Sequence, residues 1–190
     1  MGKLKADIFI VCILILNMGL TSADYSDKKS YSDLLERGNR ISGEIKNNFS
    51  FIGNEEIKII IEKVNHGSAE AKRYPSKGNK IIIDSDKLQN VSDFELRGLF
   101  SHEIAHLESY SEMNWLQLGV FAIRYSVSDA FKKKVERETD VASVEKGFGK
   151  ELLAFREYRL KTASKDDKKT LIAYYLSPEE IKKLEKGQST

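Results

Sequence analysis

Cysteine is almost absent from this chain. Cys12 is the only one, and it lies inside an early apolar run. A chain beginning after that run has no thiol and forms no disulfide, so cysteine argues neither for export nor against it. Cys12 also lies too early to serve as a lipid-attachment cysteine at the end of a leader. An excess of either charge is missing too: 31 basic and 29 acidic side chains leave a formal net charge of +2. With no basic face and no aromatic binding motif, a nucleic-acid partner is not expected. Long hydrophobic runs are lacking. The longest early stretch, "IFIVCILIL" from Ile8 to Leu16, falls short of the ~20 residues that a membrane span needs. No internal repeat or low-complexity tract is present, which excludes solenoid and fibrous architectures. Histidine is scarce, with three in 190 residues.

What is present suffices for a packed core. The chain is 41% hydrophobic and 9% aromatic, and its length favours one domain. Residues 1–23 read as a secretory signal. Lys3 and Lys5 precede the apolar run, and small residues at Thr21 and Ala23 follow it. Cleavage is expected after Ala23, leaving 24–190 as a single exported domain, periplasmic, extracellular or tethered outside the cytoplasm. Asp7 and Asn17 fit this pattern less well. The alternative is an uncleaved anchor that associates with a membrane through residues 8–20.

The remaining pattern is α+β. "SYSDLLERGNRISGEIKNNF" carries Leu34, Leu35, Ile41 and Ile45 near one helical face, weakened by Gly38 and Gly43. "EIKIIIEKV" and "KIIID" are β-branched runs and read as strands. Between them, "NHGSAEAKRYPSKGN" reads as loop or weakly paired ribbon. Ser92 with Glu95 has the form of a capping box, opening a helix through "SHEIAHLESY". Phe100, Ile104 and Leu107 share a side of that helix. His102 lies about 200° from both Phe100 and Ile104, so the histidine face is expected to look into a cleft. "WLQLGVFAIRYSV" reads as a buried or amphipathic helix. "SDAFKKKVERETDVASVEKGFG" reads as a helix stopped at Gly147 and Gly149, and "KELLAFREYRLKTA" as another. Ser177 and Pro178 begin a final helix.

Two of the three histidines, His102 and His106, stand one helical turn apart with Glu103 beside the first. Imidazoles at that spacing converge on one cation. Glu103, rotated by about 100°, is carried to the side of the cation, where it can hold and deprotonate a water. This is the physical content of the H-E-x-x-H motif, in which zinc acidifies water and polarises a peptide carbonyl. A catalytic zinc wants a third protein ligand. His66 lies upstream in a polar loop, and no histidine follows His106, so a carboxylate is expected. Glu108 and Glu112 are too close in sequence to fold back. "VERETD" is better placed: Glu136 and Asp140, four apart, share a helical face, so Glu136 can bind the metal while Asp140 takes the free ring N–H of a ligand histidine. Glu138 is the rival ligand. The competing reading of "KKKVERETD" is a solvated charged face, and spacing alone does not decide between them.

"HEIAH" followed by "ERETD" resembles the gluzincin metallopeptidases, and within them the HtpX and CAAX-prenyl-protease type. The downstream signature of that type is Glu-x-x-Ala-Asp. Glu136 and Asp140 match its ends, and Thr139 stands where alanine is usual. "FELRGLFSHEIAHLE" also looks like the active-site helix of that group. The similarity covers roughly residues 80 to 148. It implies a small stand-alone zincin-like domain, a glutamate as third ligand, and substrate pairing along the strand before the metal helix, here "KIIID". Prenylated or membrane-embedded substrates do not carry over, because the relatives have several membrane spans and this chain at most one.

The expectation is therefore a zinc-dependent endopeptidase acting on protein or peptide substrates. One Zn2+ is held by His102, His106 and Glu136, with Glu103 as general base and Asp140 orienting a histidine. Tyr158, Tyr174, Tyr175 and His66 are the candidate oxyanion donors. The rival expectation is a non-proteolytic zincin scaffold that binds metal or a partner.

Overall fold

In the computed structural model, the described residues are 25–188 apart from 51, 53, 54, 66 and 75–77. The proposed signal segment, His66 and Pro75 lie outside them. The fold is mixed α/β, a small three-stranded sheet followed by a mostly helical second half.

Helix α1 (Tyr25–Ile45) buries Leu34, Ile41 and Ile45, the same stripe that the periodicity marks. Gly38, which weakens the helix intrinsically, is where α1 crosses the helix that carries the histidines. A Cβ there would stand 3.1 Å from the Phe100 ring. Strands β1 (Ile57–Ile61), β2 (Ala69–Tyr74) and β3 (Gly78–Ile83) form a sheet in the order β1-β3-β2. β1 runs parallel to β3, and β2 antiparallel to it. The segment 65–79, read from sequence as loop or weakly paired ribbon, thus supplies a full strand. Ala69 and Ala71 pack on the core and the register is continuous from Ala69↔Ile83 to Tyr74↔Gly78.

β3 is the central strand, which overturns the expectation that "KIIID" offers an edge to substrate. Its composition explains why. Ile81, Ile82 and Ile83 are all buried, and an unbroken aliphatic run suits a strand covered on both sides better than a half-exposed edge. The Asp84 carboxylate then accepts from the Val64 and Asp86 amides, each at 3.1 Å, closing the strand end onto the β1–β2 connection.

Helix α2 (Asp93–Ser111) opens with the expected capping box: Ser92 and Glu95 each accept from the other's amide. Arg37 and Arg40 of α1 both reach Asp93 in its first turn, where negative charge suits the helix dipole. Helices α3 (Trp115–Val127), α4 (Asp129–Ser143), α5 (Gly149–Thr162), α6 (Lys165–Tyr174) and α7 (Pro178–Gln188) follow. Between α4 and α5 the chain turns at Gly147, with φ of 92°. This is a backbone state that glycine reaches without penalty. Helix α6, within "SKDDKKTLIAYY", was not anticipated. It is short and charged, and Leu171 is its only buried residue.

α2 runs through the middle of the molecule, packed by α1, β2, α4 and α5. The α2–α5 crossing is a backbone contact: a Cβ on Gly98 would lie 2.1 Å from the Glu151 carbonyl oxygen. Among the described residues no helix is long and apolar enough to cross a membrane.

Candidate metal centre

Every residue of α2 from Gly98 to Leu107 is buried. The expected division into a buried apolar face and a histidine face open to a cleft does not hold. The apolar side packs on α1 and the sheet, while the histidine side is roofed by α4 and by tyrosines. His102, Glu103 and His106 are each 6% exposed.

The two histidines meet Glu136 across the α2–α4 interface. Glu136 Oε2 lies 3.1 Å from His102 Nε2 and 3.5 Å from His106 Nε2. One donor atom from each of the three residues lies within 4.8 Å of the others, so this buried group can hold a metal ion. Of the acids weighed from sequence, Glu138 points to solvent and pairs with Lys134 on its own helix. Glu108 pairs with Lys146 at 3.0 Å, and Glu112 is exposed.

The ring nitrogens turned away from Glu136 are also engaged. His102 Nδ1 is 2.8 Å from Asp140 Oδ1, so Nδ1–H donates and Nε2 is the nitrogen turned to the centre. His106 Nδ1 is 3.2 Å from Thr139 Oγ1, whose hydroxyl donates to the Val135 carbonyl at 2.9 Å. With its proton spent there, Thr139 accepts from His106 Nδ1–H. Both histidines are thereby held with Nε2 turned to the centre. Thr139, the departure from the alanine pattern, has a defined task.

Three groups were missed in sequence. Arg156 of α5 is 3% exposed and binds both oxygens of Asp140, at 3.0 and 2.9 Å. The Leu176 amide donates to Asp140 Oδ2 at 2.9 Å. Tyr125 of α3 donates to Glu136 Oε1, leaving Oε2 as the oxygen that faces the imidazoles. No local signal marks these groups, because each comes from a different element and one is a backbone donor. Thr139 was visible, being three residues from Glu136 and thus on its helical face.

The electrostatics are those of a cation site. Burial alone would push the Glu136 carboxyl up, yet the two imidazoles hold it well below its usual range. Burial likewise opposes ionisation of Asp140, and Arg156 and His102 outweigh it. For His102 burial disfavours the charge, but Asp140 and Glu136 carry its pKa up to about 10, so a cation that binds at Nε2 displaces a proton from that nitrogen. Around the centre three buried carboxyl groups, Glu103, Glu136 and Asp140, stand against one buried guanidinium, Arg156; the other buried pair, Asp84 and Arg159, lies at the end of β3 and in α5. A divalent cation between neutral imidazoles balances that count, and the donor set, two imidazoles and one carboxylate oxygen, suits it.

Glu103 differs from the other two acids. Among the described residues no hydrogen bond or ion pair engages its carboxylate. Burial pushes it up from its usual value, against the pull of His102 and His106, and Glu136 and Glu70 push the same way.

Of the expected oxyanion donors, Tyr158 donates to the Gln89 carbonyl at 2.7 Å and Tyr174 to Asp129 at 2.8 Å, so both are committed elsewhere. Tyr175 alone reaches the centre. Its ring centroid is 5.6 Å from that of His102, and Arg156 lies over its other side at 4.4 Å. Burial holds its hydroxyl protonated, well above the usual tyrosine range. Comparison with family models, with curated proteins and with solved structures returns no match.

Proposed function

We propose that this protein is an exported zinc-dependent endopeptidase of the gluzincin kind, built on a zincin-like domain of residues 24–190. The observation that carries the reading is Glu103: a buried carboxyl with no hydrogen-bond partner among the described residues, one residue from the first of two imidazoles that share a third acid. A structural acid at that depth is paired, because leaving it unpaired costs stability. An acid waiting for a proton is not.

His102, His106 and Glu136 would hold one Zn2+, a metal suited to imidazole and carboxylate donors. When bound, zinc supplies Lewis-acid polarisation of the scissile carbonyl and acidifies water. Glu103 takes the proton of the attacking water and delivers it to the leaving amine. Burial raises its pKa, the direction that helps a carboxylate take up and hold that proton. Asp140 and Thr139 hold the two rings in register. Tyr175, kept protonated and set against the His102 ring, would donate to the developing oxyanion. The strand for an extended substrate is β2 rather than β3, since β2 ends the sheet, packs against α2 and carries Glu70 into the field of Glu103.

A second reading, a non-proteolytic metal module, draws on the depth of the centre, with all three ligand residues at 6% exposure or less. Metal analysis beside a peptidase assay separates the two. The endopeptidase reading requires hydrolysis of casein or a peptide library that a chelator abolishes, zinc restores, and Glu103→Gln eliminates with metal retained. Full metal occupancy with no hydrolysis of any substrate would leave the metal module standing.

A further inference from the structure

Helix α3 is amphipathic the wrong way round for a soluble surface. Its inner side is aromatic: Phe121 meets Tyr110 edge-on at 5.4 Å and stacks on Tyr125 at 6.0 Å, and Tyr125 holds Glu136. Its outer side is aliphatic. Leu116, Val120, Ile123 and Val127 recur at helical spacing and are 59%, 56%, 63% and 78% exposed. Trp115 begins the helix at 63% exposure. Side chains of this kind normally turn inward, and a contiguous outward stripe of them marks an interaction surface.

We propose that α3 docks on an anionic lipid surface, lying in the plane of the headgroups with this stripe immersed. Three observations select a bilayer as the occupant. "WLQLGVFAIRYSV" contains no acidic side chain, so nothing on the stripe opposes immersion. Arg124 lies on α3 itself, stacked 4.3 Å from Phe131, and Lys132 of α4 stands over the Tyr125 ring of α3 at 5.5 Å. Positive charge is the complement of an anionic headgroup layer. Trp115 stands at the helix end, the place an interfacial tryptophan takes. The 13 residues of α3 span about 20 Å. That is too short to cross the ~30 Å hydrocarbon core and ample to lie along it. Ser128 caps α4 directly after α3, and the inner face of α3 stays on Tyr110 and Glu136 while the outer face is exposed.

Trp115 is the only tryptophan of the chain, which makes it a built-in reporter that is blind to binding through residues 8–20. The full chain is titrated with phosphatidylcholine vesicles, with and without phosphatidylglycerol. With phosphatidylglycerol the Trp115 emission shifts to shorter wavelength and is quenched by lipids brominated along the acyl chain. Replacing Val120 and Ile123 together by glutamate weakens lipid binding read at Trp115 by about tenfold or more. Both residues are exposed, so the fold is untouched. A solvent-like Trp115 at saturating lipid overturns the proposal, whether or not the chain sediments with the vesicles. An equal response to phosphatidylcholine alone overturns its anionic selectivity. A shift that appears without lipid and grows with protein concentration assigns the stripe to a second copy of the chain instead.

Discussion

Replacing Glu103 by glutamine is expected to destroy turnover and, in the metal-stripped protein, to raise stability. The two effects share one cause. Glu103 is 6% exposed and has no hydrogen-bonded partner among the described residues, so its ionised form is carried in the fold at a cost. Leaving a buried charged group unsatisfied costs about 1–3 kcal/mol. The attraction of His102 and His106 offsets part of this but does not cancel it, since the carboxyl remains raised. A neutral amide of the same shape avoids the charge penalty. For a chain of this size each kcal/mol moves the melting temperature by roughly 2–4 °C, so the stripped variant melts a few degrees above the stripped wild type at pH 8. The dependence on pH has a definite sign. A carboxyl whose pKa is higher folded than unfolded is no burden while protonated in both states, and becomes one as pH rises through the folded value. The gain therefore shrinks between pH 8 and pH 5. Thermal unfolding by circular dichroism in a chelator, at both pH values, measures it. Turnover at saturating zinc falls by about 10²–10⁴-fold. Equal or lower stability of the variant at pH 8 would mean that Glu103 has a structural partner, and its assignment as a free base would fall.

Glu136→Ala abolishes stable zinc binding while Glu138→Ala leaves it intact; titration with a zinc indicator compares them, and the reverse order would re-register the ligand helix. Thr139→Val lowers zinc affinity by about 10–100-fold, the usual scale for a group that orients a ligand ring, and Thr139→Ser restores it. Arg156→Met leaves Asp140 charged, buried and half-paired, and destabilises by about 3–5 kcal/mol in denaturant unfolding. Glu180 is held down to about 2 by Arg137 and the Ser177 amide. Its contribution is present at neutral pH and is lost as pH falls from about 4.5 towards 2. Because the carboxylate is 45% exposed, solvent screening limits the Glu180→Gln cost to no more than about 1 kcal/mol, and that cost vanishes at pH 2.

Local signals carried what is local. The capping box at Ser92 and the i, i+4 pairs His102/His106 and Glu136/Asp140 follow from helix geometry within one element. The structure brings those pairs together across α2 and α4 at 2.8 to 3.5 Å. What was not legible depends on pairing between elements. Nothing in "AEAKRY" announces a strand, because its stability comes from β3 beside it, and the edge role assigned to "KIIID" failed for the same reason. The buried setting of the histidines was missed because helical phase gives the direction of a side chain but not what covers it: α4 and Tyr175 come from elsewhere. Gly38 reads as a weak point of its helix, yet the close approach of Phe100 requires it, and Gly98, unmarked in the sequence, is required in the same way by the Glu151 backbone.

Asp140 gives the metal centre a place in time as well as in space. Its carboxylate is completed from three directions: His102, which is made early, Arg156 in α5, and the Leu176 amide beyond α6. A growing chain that has reached Glu136 already holds every donor atom for the ion, yet its second histidine support is still unanchored. Until Leu176 has been added and folded back, the carboxylate that fixes His102 has no backbone tether. The centre thus becomes rigid only after α6 and Leu176 have been made and folded back. On the proposed function, a site assembled in that order is quiet while the backbone before Leu176 is still extended and cleavable.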